Sequence, residues 1–140
     1  MIKKWKEFFI DDFILRAYEN GKVISGISAG AIFWFKYGHS DSEYFTNPDN
    51  WRYKFVEGLG VFNAVFCPHY NEEGRNSFDN MLRDIKEVGF ALENDTAFVA
   101  LDELKYIKKA NNNAHAYRIV YKQNAIEKIE LQENVNIEIE

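Results

Sequence analysis

A single cysteine, Cys67, stands among 140 residues, which excludes an internal disulfide framework and a cysteine-built zinc cage. It fits a reducing compartment. No apolar run approaches the roughly 18 residues that a membrane-spanning helix requires. The basic start Met1-Ile2-Lys3-Lys4 runs into Trp5-Lys6-Glu7 instead of an apolar stretch, so no secretory signal is expected. Positive charge is not pooled either. With 17 Lys and Arg against 22 Asp and Glu, a net charge of −5, the chain offers nothing suited to a phosphate backbone. The cluster Lys105, Lys108 and Lys109 beside a run of asparagines reads as solvated surface. Repeats, low-complexity segments and linkers are missing as well. These absences leave a soluble cytoplasmic protein, with no nucleic-acid or membrane partner, as the expectation.

What is there is apolar mass. Hydrophobic residues make up 46% and aromatics 16%, enough for one domain with a sizeable core and too much for a disordered chain. Trp5, Phe8, Phe9, Phe13 and Ala17 recur at helical spacing, so a helix is expected from Trp5 to Tyr18, stopped at Asn20-Gly21. Ile10, Ile14 and Leu15 widen its apolar face, which calls for cover on more than one side. Val23 to Ile27 is β-branched and uncharged, a short buried strand by pattern. Ala29 to Tyr37 looks like a short apolar helix. Residues 38 to 60 are irregular, a length that marks a functional or mobile stretch. Val61 to Cys67 forms a second buried strand, Ser77 to Val88 an amphipathic helix ended by Gly89, and the rest reads as β. Ile129, Leu131, Val135, Ile137 and Ile139 alternate, as in hairpin strands with one wet face. The order predicts an α/β fold: a partial doubly wound, flavodoxin-like, mostly parallel sheet with C-terminal antiparallel hairpins.

Gly26-Ile27-Ser28-Ala29-Gly30 fits the G-x-S-x-G nucleophile elbow, placed after a strand and before a helix as that motif requires. A serine on so sharp a turn needs small neighbours, and the following helix aims its N–H groups at charge developing on the substrate. The same five residues could instead form a tight turn whose serine caps the helix. For a base, His69 follows the second buried strand, at the sheet edge where ligands bind in open α/β sheets and where Ser28 also lies. His69 could equally be a structural histidine at a strand end. His39 and His115, in polar surroundings, read as surface residues. Asp41, Glu93 and Asp95 are candidates for the acid that orients the base, although each also suits an ordinary loop. Cys67, with apolar flanks, reads as core.

Gly26-Ile27-Ser28-Ala29-Gly30-Ala31, Ser40-Asp41-Ser42, Gly58-Leu59-Gly60, Cys67-Pro68-His69-Tyr70 and Asp95-Thr96-Ala97 follow one another in this order. Across about Phe8 to Val120 the chain thereby resembles the peptidase E family, which contains the aspartyl dipeptidases and, more distantly, cyanophycinase. The resemblance implies a serine peptidase acting on short peptides, with Ser28 as nucleophile, His69 as general base and the Ala29 N–H as one oxyanion donor. It implies no metal and no organic cofactor. In peptidase E proper the third residue lies between serine and histidine, which points to Asp41 or its neighbour Glu43. In cyanophycinase-like members it is a glutamate just before a Thr-Ala pair. Here that position holds Asn94 with Glu93 beside it, so Glu93 is favoured and Asp41 is the alternative. A substrate beginning with aspartate would need a cation, for which Arg52 and Arg75 are the candidates.

Members of that family are roughly half as long again. Residues 1–140 are therefore expected to be a single domain equivalent to the C-terminal two-thirds of the catalytic domain. The N-terminal part would carry the first parallel strands and a glycine-rich loop with the second oxyanion N–H. The expected partners are a short peptide substrate and either a second copy of the chain or a missing N-terminal half. A rival reading is a catalytically impaired homologue that acts as an interaction module or as half of a split enzyme. The related glutamine amidotransferase fold carries cysteine at the elbow, against which Ser28 argues.

Overall fold

A computed structural model describes residues 2–139. Its centre is three parallel strands. β1 (Phe35–Ser40), β3 (Phe62–Cys67) and β4 (Gly89–Leu92) lie in the order β1-β3-β4. Antiparallel strands complete the sheet on both sides: β2 (Lys54–Glu57) pairs with β1, and β7 (Ala116–Lys122) with β4 and then β8 (Ala125–Glu130). The expected mixed α/β architecture with a parallel centre and C-terminal hairpins is present. β7 and β8 join through Gln123-Asn124, with φ of 50° and 64°. Both residues are left-handed, as a two-residue hairpin turn that follows the strand twist requires. A second hairpin, β5 (Thr96–Leu101) with β6 (Leu104–Lys109), stands outside this sheet.

Alternation along β3 builds two cores. Phe62, Ala64 and Phe66 face one cluster with Phe35, Phe90, Leu92 and Ile107. Val65 and Cys67 face another with Phe78, Leu82 and Ile119, beneath α4 (Ser77–Met81). A strand buried on both faces is uncharged throughout, as the run Phe62–Cys67 is. The expected helix Ser77–Val88 is shorter than its apolar spacing suggests. The Val88 carbonyl accepts the Val65 N–H at 2.8 Å, so the chain must already be extended before β4 begins.

The N-terminal third departs furthest from expectation. The helix Trp5–Tyr18 is two helices, α1 (Ile2–Glu7) and α2 (Ile10–Glu19), broken where Phe9 takes φ 56°. α2 ends as expected: Gly21 at φ 70° donates to Tyr18 O and Lys22 to Ala17 O, a Schellman closure. Trp5 packs on Phe33 and Tyr18 on Trp34, whereas Phe8, Phe9 and Phe13 are 67%, 72% and 77% exposed. Residues 22–27 are no buried strand. Val23 is 99% and Ile27 83% exposed, and no strand partner lies beside them among the described residues. Each edge of β1, β3 and β4 already holds a neighbour, so this segment has no free place in the parallel set. The helix expected through Tyr37 stops at Ile32 because Phe35 to Ser40 is needed as β1, between β2 and β3. The alternating tail 135–139 is extended beside β6, with the Ile137 N–H on Lys105 O at 2.7 Å, but joins no sheet. Among the described residues no helix is long and apolar enough to cross a membrane.

His39, expected at the surface, is fully buried on β1. Its ring stacks on Tyr53 (4.4 Å between centroids), meets Ser77 Oγ at 3.1 Å through Nε2, and meets Cys67 Sγ at 3.5 Å through Nδ1. Burial lowers its pKa from 6.5 to about 4, the Arg75 charge adding to the effect and Asp41 opposing it. An unfolded chain takes up this proton below about pH 6.5, whereas the folded chain resists it until about pH 4. The stability that His39 confers is therefore complete above pH 6.5 and is lost as pH falls to about 4, a loss of about 3 kcal/mol. Urea unfolding at pH 7 and at pH 4 is expected to show a loss larger by this order in the wild type than in His39→Gln. Equal losses would refute a neutral buried His39.

Candidate active site

Ser28 sits at φ 52° and ψ −114°, a backbone state that costs a side-chain-bearing residue about 1–3 kcal/mol and persists only when its surroundings enforce it. The enforcement is local. A Cβ on Gly26 would stand 2.3 Å from Gly30 O, so the two arms of the turn touch backbone to backbone. The Ser28 carbonyl accepts from Ala31 N–H (2.9 Å) and Ile32 N–H (3.0 Å), which starts α3 (Ala29–Ile32). The Ser28 hydroxyl caps nothing, unlike the capping turn that the pentad could also form. The Ala29 N–H, at the first position of α3, has no acceptor among the described residues.

His69 lies just beyond β3, after Pro68, at φ 56°. The register that sets Cys67 against Ala91 and the bond from Tyr70 N–H to Leu92 O (2.9 Å) bring the end of β4 beside it. Its Nδ1 is 2.6 Å from Asn94 Oδ1. Asn94 Nδ2 donates to Glu72 Oε1 (3.2 Å), and its backbone N–H donates to Asn71 Oδ1 (2.9 Å). An amide oxygen turned to the ring accepts a hydrogen bond only where Nδ1 carries the proton, the tautomer that leaves the Nε2 lone pair free.

The structure thus sets Asn94 on His69, where Glu93 was favoured and Asp41 was the alternative. The Glu93 carboxylate accepts from His115 N–H at 3.0 Å. Asp41 pairs with Arg75 at 2.9 Å. Glu43 accepts from the Arg52 backbone N–H (3.0 Å), and Asp95 from Asn111 Nδ2 (3.1 Å). His115 is partly exposed and bonds Glu130 at 2.7 Å. Cys67 is buried with its thiol pKa pushed up by burial, a core residue. Asn71 and Glu72 went unread in the sequence. The one signal for them was a carboxylate three residues after the histidine, in a turn.

Ser28, His69, Glu93, Asn94 and Asp95 line one cavity of about 460 Å³, a volume typical of small-ligand sites. Its wall is apolar, including Trp34, Phe62, Phe66 and Phe98, and neither lysine nor arginine is among the lining residues. Arg75, a sequence candidate for binding a substrate carboxylate, is 3% exposed and donates to the His39 carbonyl as well as to Asp41. Neither it nor Arg52 lines the cavity. Among the described residues no three His, Cys, Asp or Glu side chains are grouped to hold a metal ion.

The chain is similar to proteins already known. A family model described as Peptidase family S51 matches residues 1–136. A protein of Bacillus subtilis (strain 168) described as an uncharacterized peptidase, YgaJ, is 34% identical over 131 residues, covering 91% of this chain and 54% of that protein. The chain spans about half the length of the curated relative it matches.

The elbow geometry distinguishes its two glycines. A Cβ at Gly26 collides with backbone, whereas one at Gly30 meets nothing within 4 Å. Gly26→Ala is expected to lower the melting temperature, whereas Gly30→Ala is expected to retain it, and equal effects at the two positions would refute the turn described.

Proposed function

Because this chain belongs to peptidase family S51, the family of peptidase E, we propose that it hydrolyses short peptides as a serine-type enzyme through an acyl intermediate. Ser28 Oγ attacks the scissile carbonyl while His69 Nε2 takes the hydroxyl proton. The Ala29 N–H donates to the oxyanion of the tetrahedral intermediate. Collapse expels the amine, which receives its proton from His69, and water then deacylates Ser28 by the reverse proton path. Asn94 holds His69 in the tautomer this cycle needs. The observation that carries the reading is that a strained, uncapped Ser28 and a His69 bonded to Asn94 line the same cavity.

The lining chemistry bears on the substrate. Burying a carboxylate away from a cation, beside Glu93 and Asp95, is costly, whereas an apolar or aromatic side chain gains by burial against Trp34 and Phe98. The preferred residue at this cavity is therefore apolar instead of aspartate.

A second reading has its own support. Phe8, Phe9, Phe13, Val23 and Ile27 are exposed, and the chain spans about half of its relative. In that reading the chain is an interaction module or half of a two-chain enzyme, docked on a second copy or on a separate N-terminal half.

A fluorophosphonate probe is expected to add once to the wild type at Ser28, not at all to Ser28→Ala, and about 10²-fold more slowly or worse to His69→Ala. In a dipeptide library, substrates with an apolar first residue should be cleaved about tenfold or more faster than those with aspartate. Sedimentation velocity separates the two readings: a monomer that labels stoichiometrically excludes the half-enzyme. An unlabelled chain that gains labelling only with a partner excludes an enzyme that works alone.

A further inference from the structure

An asparagine beside a catalytic histidine raises a problem that a carboxylate does not. A carboxylate offers an acceptor from either oxygen, whereas an amide offers an acceptor at one end and a donor at the other. If the Asn94 amide turned over, Nδ2–H would face His69 Nδ1, which would then have to accept. The ring proton would move to Nε2, the nitrogen that must be unprotonated to serve Ser28. The site therefore depends on whatever keeps the amide from turning.

Resting on the hydrolase reading above, we infer that Glu72 is the positioning residue of this site: it fixes the Asn94 amide and, through it, the tautomer of His69. Its carboxylate only accepts hydrogen bonds, and Oε1 lies 3.2 Å from Asn94 Nδ2. A turned amide would set an oxygen against that carboxylate, two acceptors facing each other with no proton between them. Glu72 is itself held in the turn that carries the base. Its N–H donates to His69 O at 2.8 Å, and its carbonyl accepts the Arg75 N–H at 3.2 Å. The neighbouring Asn71 fixes the Asn94 backbone at 2.9 Å, so the amide pivots on an anchored main chain.

The same carboxylate supplies the charge that asparagine lacks. Glu72 Oε1 is 3.6 Å from His69 Nδ1, while Asp41 and Glu93 are engaged elsewhere. The imidazolium formed when Ser28 gives up its proton thus faces a negative charge beside a neutral amide. The division of labour is a neutral residue for contact and an anion behind it for orientation and field.

The test is the ring tautomer, read from the imidazole nitrogen shifts of ¹⁵N-histidine-labelled protein, with His69→Gln to assign the signals. In the wild type the neutral His69 is expected to carry its proton on Nδ1. In Glu72→Ala a substantial Nε2-protonated fraction should appear, and fluorophosphonate labelling of Ser28 should slow by about tenfold or more, as expected for a misplaced catalytic group. In Glu72→Gln the side-chain oxygen can still accept from Asn94, but its amide can also donate to a turned Asn94 and carries no charge, so part of the Nδ1 form and part of the labelling rate should be lost, less than in Glu72→Ala. The Glu72 side chain is 51% exposed, so these changes leave the cores intact, and melting curves check this. An unchanged tautomer in Glu72→Ala overturns the inference, as does equal loss in the alanine and glutamine variants. A wild type that never labels refutes the hydrolase reading alone, since the tautomer measurement reads Glu72 without any reaction.

Discussion

The placement of His69 against Asn94 depends on the parallel pairing of β3 with β4. Three register pairs, Val65 with Gly89, Phe66 with Phe90 and Cys67 with Ala91, align two strand ends that lie far apart in sequence. That alignment carries His69 and Asn94 to one edge. Slipping the register by one residue would turn every side chain of a strand to the opposite face. It would drive Phe90 and Leu92 into the space that Ala91 fills in the second core and set the wrong residue against the histidine. The cores therefore specify the site: the packing of Phe62, Phe66 and Phe90 against the β5–β6 hairpin penalises any other register. Burial on both faces makes the pairing rigid enough to hold a 2.6 Å contact between two loop residues.

The elbow depends on a different constraint, and a more local one. Its strain is held by the approach of Gly26 to Gly30 and by the first turn of α3, not by a ladder of strand bonds. Residues 22–27, which lead into it, have no strand beside them, while Ile32, at the far end of α3, is buried in the core. The serine is thus anchored from its C-terminal side. Trp34 adds to that anchor, since it contacts Phe33 and also Tyr18 of α2. One half of the site is fixed by the sheet and the other by a short helix set on it.

This division explains what could be read from the residues alone. The G-x-S-x-G turn was legible because its demands are covalent and steric, confined to five consecutive residues. β3 and its terminal Pro68-His69 were legible because a doubly buried strand is uncharged and mostly apolar. The segment Val23–Ile27 carries the same composition, yet a strand exists only where a neighbour offers a ladder, and that depends on the rest of the sheet. His39 misled for a related reason. Gly38-His39-Ser40-Asp41 looks like a loop, but pairing on both sides of β1 turns its alternate residues inward. The family pattern points to Glu93, although the strictly matching position holds Asn94. The structure turns Glu93 to the His115 N–H and Asn94 to His69, a direction that residue chemistry alone does not supply.

The two histidines near the sheet show why placement matters more than type. A general base must charge and discharge in every cycle, so its surroundings must tolerate both states. His39 lies in the core beneath α4, among Tyr53, Phe55 and Phe78, with a guanidinium nearby. Burial and that positive charge both oppose its protonation, so it is fitted to remain neutral. His69 lies at the mouth of the cavity, partly solvated, with the Glu72 carboxylate 3.6 Å from its ring. The fold sets one imidazole where charging would weaken the core and the other, the proposed base, at a partly solvated strand end 3.6 Å from a carboxylate. Both dispositions follow from which face and which end of a parallel strand each histidine occupies.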